Sequence, residues 1–69
     1  MKKAFVIYCP LEGGYWAGMA YNTFKGELYA LKFEEEDFPS KAYVLANHQF
    51  IRALEAAKGK FIEIKKIYY

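Results

Sequence analysis

The chain has little of what catalytic and metal sites are built from. Among its 69 residues there is one cysteine, Cys9, and one histidine, His48. A single cysteine excludes an internal disulfide, and one Cys with one His falls short of a Cys/His zinc centre. The same pair is the sole thiol–imidazole combination. A nucleophile needs its base within hydrogen-bond reach and a third group to orient that base. The helical periodicity read below turns His48 to solvent, while Cys9 ends an apolar strand, where a free thiol packs as a small hydrophobe. No catalytic residue, metal ligand or cofactor is therefore assigned. Gly13-Gly14 lacks the flanks of a P-loop or dinucleotide fingerprint and reads as a turn. Glu34-Glu35-Glu36-Asp37 lacks EF-hand spacing and reads as a solvated acidic stretch before a helix.

Long apolar runs are also missing. No stretch approaches the length of a membrane span. The opening Met1 to Pro10 places two lysines before an apolar run, but that run is short, contains Tyr8 and has no small-residue cleavage site, unlike a signal peptide. An unpaired thiol makes the cytoplasm the expected compartment. Charge of one sign is scarce too: 10 Lys+Arg against 8 Asp+Glu give a net +2, too balanced to demand a polyanionic partner by itself.

Aromatic residues are abundant. They make up 20% of the chain, with 7 Tyr, 6 Phe and 1 Trp. Phenylalanine suits the core of a small domain, whereas tyrosine suits a surface that is apolar in body and wet at the tip. The length allows one domain, residues 1–69. Phe5 to Cys9 are strand formers on both faces of the pleat, so 3–9 reads as a central strand. A second strand is expected over 15–21 and a third over 27–33, each after a glycine-containing turn. The period then changes. From Phe38 to Lys58, Tyr43, Ala46, Phe50, Leu54 and Ala57 form one helical stripe. Pro39 suits the first turn and Gly59 the stop. Residues 60–68 return to strand character.

The order predicts an α+β domain of βββαβ type, a four-stranded mixed sheet in the order 3-2-1-4. A crossover helix would deliver the last strand parallel to the first. One helix covers only one face of such a sheet, so the other face is left for solvent or a partner.

This layout resembles a loose group of very short proteins encoded by bacteriophages and prophages. The resemblance rests on Phe5-Val6-Ile7, Gly14-Tyr15-Trp16, Ala30-Leu31-Lys32-Phe33 and Ile62-Glu63-Ile64. The chain departs from that pattern at Glu34 to Asp37 and at Pro39. The resemblance implies a bacterial host cytoplasm and a protein that binds and modulates other machinery, and it carries no common activity.

Two binding classes follow. The first is a non-catalytic protein-binding module, an inhibitor or regulator of a larger protein, with a homodimer as a further arrangement. Its expected apolar contacts are Tyr8, Trp16, Val44, Leu45 and Tyr68. The second is a single-stranded nucleic-acid binder, with an aromatic sheet face bordered by Lys2, Lys3, Lys65 and Lys66. The modest charge and the lack of an RNP-like motif favour the first.

Overall fold

Residues 2–34 and 39–69 are described by a computed structural model. The architecture is α+β, with one helix beside one five-stranded sheet. Strand β1, Lys3–Cys9, is the centre of that sheet. Its partners are β2 (Gly14–Trp16), β4 (Phe33–Glu34) and β5 (Glu63–Tyr68), while β3 (Phe24–Lys25) pairs with β2. As expected, the last strand lies beside the first.

Its direction differs from the expectation: β5 pairs antiparallel with β1 over six positions, from Lys3 opposite Tyr68 to Tyr8 opposite Glu63. The cause lies earlier in the chain. The expected second strand stops at Trp16 and the expected third breaks up. Gly18 at φ +96° and Asn22 at φ +51° bend residues 17–23 into a loop, closed by Asn22 N–H donating to the Gly18 carbonyl at 2.8 Å. A 3-10 turn, Glu27–Tyr29, follows. This extra reversal brings β4 back antiparallel to β1, with Ala4 opposite Glu34 and Phe5 opposite Phe33. Strands β4 and β5 then flank β1 on its two sides. The helix between them completes a split β–α–β unit.

Helix α1, Pro39–Ala57, has the expected extent. Proline at its first position sacrifices no internal hydrogen bond. Past its end, Lys58 at φ +53° and Gly59 at φ +86° turn the chain out, the left-handed exit that glycine accommodates. The acidic run from Glu35 to Asp37, and Phe38, lie outside the described residues.

The helix is rolled relative to the expected stripe. Ala42, Ala46, Ala53 and Ala57 are buried, whereas Tyr43 and Leu54 are exposed at 49% and 45%. Trp16 explains this. It is the largest fully buried side chain and shares a cluster with Ile7, Cys9, Ala53, Ala57 and Ile62. A large ring on the sheet side leaves room only for small side chains on the helix side at native packing density. The indole Nε1 donates to Gln49 Oε1 at 3.1 Å, which satisfies the polar atom that its burial removes from water.

Candidate interaction surfaces

Strand alternation sorts the candidate residues, because neighbours along a strand point to opposite faces and residues directly opposite across strands share one. Phe5, Ile7 and Cys9 face the helix. Phe5 meets Tyr43 edge-on at 5.4 Å between ring centroids. Trp16 pairs with Phe24, and the two rings lie 5.7 Å apart. Trp16 therefore sits inside the domain, fully buried, and is no surface contact; the short β2 strand turns it toward the helix. Tyr68 is exposed on the helix side of the β5 margin, opposite Lys3, whose Nζ lies 6.0 Å from its ring centre.

Among the described residues, no helix covers the opposite face of the sheet. Tyr8 and Tyr15 lie opposite each other there with ring centroids 4.8 Å apart. Lys65 Nζ stands 4.6 Å from the centre of the Tyr8 ring. Across β2, Lys25 is opposite Tyr15 and holds its ammonium 4.7 Å from the Tyr21 ring and 4.9 Å from the Tyr29 ring. Tyr21 and Tyr29 meet edge-on at 6.3 Å. Further along, Lys32 Nζ lies 5.3 Å from the Tyr69 ring, and the Tyr69 hydroxyl donates to Glu34. Ala4 and Val6 are fully buried on this side. Val6 lies across from Lys65, and Ala4 across from Ile67 and Glu34. Lysine stems cover apolar backbone in this way while the charge stays in water.

The expected lysine border splits for the same reason. Lys65 faces the open side, and Lys2, paired through the backbone with Tyr69, continues that alternation. Lys3 and Lys66 face the helix side, where Lys66 Nζ is 5.3 Å from the Phe5 ring centre. Lys25 and Lys32, outside the expected border, stand in their place. Their signal lay in the Lys25-to-Tyr29 spacing, but only the chain reversal brings them beside β1.

The outer surface of α1 is the second candidate. At 100° per residue, Tyr43, Leu54, Asn47, Ile51 and Val44 fall within one arc of about 100°. Ile51 is 66% exposed and Val44 51%. Leu45 is also exposed, but lies on the far flank with Arg52. His48 is exposed beyond Val44, and Cys9 is buried against the inner side of the helix, so the fold keeps the two apart. Among the described residues no three His, Cys, Asp or Glu side chains gather to hold a metal, and no helix is long and apolar enough to cross a membrane.

A polar hollow between the first turn and the end of α1 is lined by Glu12, Asn22, Thr23, Glu55, Lys58 and Lys60. There Lys60 Nζ donates to Glu12 Oε1 at 2.9 Å. This hydrogen bond first, and the carboxylate charge second, raise the Lys60 pKa above its ordinary 10.5.

No protein-family model, curated protein or solved structure matches this chain.

Proposed function

We propose that this protein is a non-catalytic binding module that lays the outer side of α1 on an apolar surface of a larger protein. One observation carries the reading: the helix turns alanines inward and Tyr43, Val44, Ile51 and Leu54 outward. Packing of the alanines against Trp16 sets this rotation, and it leaves large side chains in water that would each gain about 1.5–3 kcal/mol if a partner buried them. A contiguous apolar strip left in water marks an interaction site. Helix-in-groove recognition uses residues repeating along one helix face, here Tyr43, Asn47, Ile51 and Leu54, with Val44 alongside. Exposed Glu55 and His48 follow Val44 along the border of the strip, and Lys58 stands at its C-terminal end, so the rim carries charge of both signs. The resemblance to phage and prophage proteins makes a host protein in the bacterial cytoplasm the partner class, and inhibition or regulation the effect.

A photo-cross-linking residue at Asn47, in the middle of the strip, tests this. It should trap a discrete larger protein in host extract, while the same group at Glu63 should not. A product of twice the mass of this chain alone would instead make the strip a self-association surface. Equal labelling from both positions would refute the helix assignment.

A further inference from the structure

The face of the sheet away from the helix has a chemistry that an apolar protein partner does not use. Four tyrosines run in a row across it. Lys65 stands at the β5 end, Tyr8 and Tyr15 follow on β1 and β2, and Lys25 lies between Tyr21 and Tyr29 at the far end. From β5 to β3 the row crosses three strand spacings of about 4.8 Å each.

We propose that this row is a binding site for single-stranded nucleic acid, with bases stacked on Tyr8, Tyr15, Tyr21 and Tyr29 and phosphates held by Lys25 and Lys65. Every base has a π face, so a row of rings binds a strand without reading its sequence. A sheet face of this width takes two or three bases, so the touching rings Tyr8–Tyr15 and Tyr21–Tyr29 share bases rather than each holding its own. Each lysine already rests against the ring that a base would cover. An exposed ammonium–ring contact in water is weak, so a phosphate can draw the ammonium aside and free the ring beneath. Tyr21 and Tyr29, each 55% exposed, offer the most accessible rings. Beside the row, a hollow of 330 Å³ lined in part by Lys32, Ile67 and Tyr69 extends the track. Among the described residues, three carboxylates oppose the fit: Glu63 lies across from Tyr8, Glu34 across from Ala4 on the same face, and Glu27 lines the hollow. This site is separate from the helix strip, and each stands or falls alone.

Fluorescence anisotropy with labelled single-stranded oligo-dT and oligo-rU tests it, with a duplex of equal length and a poly-Glu peptide as controls. Both single strands should bind more tightly than the duplex or the peptide. Two lysine–phosphate contacts give a log–log salt slope near about −1.4, or roughly a sevenfold loss between 50 and 200 mM salt. Tyr21→Ala and Tyr29→Ala should each weaken binding about fivefold or more. Lys25→Gln and Lys65→Gln should each flatten the slope by about 0.7, and Glu63→Gln should tighten binding. Tyr21 and Tyr29 are exposed and Lys25, Glu63 and Lys65 half-buried, and an unchanged urea midpoint confirms the fold of each variant. Absence of binding at 50 mM salt, equal affinity for duplex or poly-Glu, or full affinity in the tyrosine variants would each overturn the proposal.

Discussion

At the residue scale, Trp16 combines the largest fully buried side chain with a polar atom that has one partner, Gln49. Trp16→Ala should cost about 3–5 kcal/mol, read as a urea midpoint by circular dichroism, which would leave a domain this small barely folded. Gln49→Leu keeps the bulk but removes the acceptor, and should cost about 1–3 kcal/mol. An unchanged midpoint in Gln49→Leu would mean that water satisfies the indole. Gly18 imposes a different constraint. Its φ of +96° already excludes most side chains, and an added Cβ would meet Leu31 Cδ2 at 3.4 Å. Gly18→Ala should destabilise by about 1–3 kcal/mol. The sequence points to Trp16 as an unusual residue but not to its direction. That depends on a register set by only two pairs between β1 and β2, Tyr8 with Tyr15 and Cys9 with Gly14.

At the scale of elements, the two sides of α1 should respond to substitution in opposite ways. Ala46→Leu and Ala53→Leu insert bulk where the helix is fully buried and should cost about 1–3 kcal/mol each. Val44→Lys and Ile51→Lys should stay within about 0.5 kcal/mol of the parent. Urea midpoints of the four variants decide between this orientation and one with Tyr43 and Leu54 at its centre. The extent of the helix was legible because Pro39, Gly59 and the 3.6 period agree. Its rotation was not, because alanine carries little weight in an apolar period and only the bulk of Trp16 favours it. The strands after Trp16 misled for a local reason: Tyr-Trp-Ala-Gly-Met-Ala-Tyr has strand composition, yet left-handed Gly18 and Asn22 break it. The Lys60–Glu12 contact ties the first turn to the segment after α1. Because the bridge raises the Lys60 pKa, its contribution is present below the ordinary lysine value of 10.5 and is lost as pH rises through the raised one. The stability difference between parent and Glu12→Gln should therefore be greatest near neutrality and vanish in strong alkali, as urea midpoints across that range will show.

At the scale of the whole molecule, a radius of gyration of 11.1 Å agrees with about 11 Å for a single domain of this length. The folded surface is 4704 Å², against roughly 11,700 Å² for the extended chain. With so little core, apolar residues on the surface are a cost to folding. Part of that cost falls on the apolar strip of α1 and on the tyrosine–lysine row of the open sheet face, and part on Leu11, Leu28 and Phe61 outside both. The need for an open face was legible from one helix and a sheet. Its composition was not, because the reversal through residues 17–33 brings Lys25, Tyr21 and Tyr29 to it.

Affinity capture from a bacterial lysate after nuclease treatment, comparing the parent chain with an Ile51→Lys/Leu54→Lys double variant by mass spectrometry, tests the proposed helix docking most directly. Docking through the helix strip predicts a defined protein that survives nuclease, is lost with the double variant and remains with Tyr21→Ala. Capture that the double variant leaves intact, or that nuclease abolishes, would contradict it.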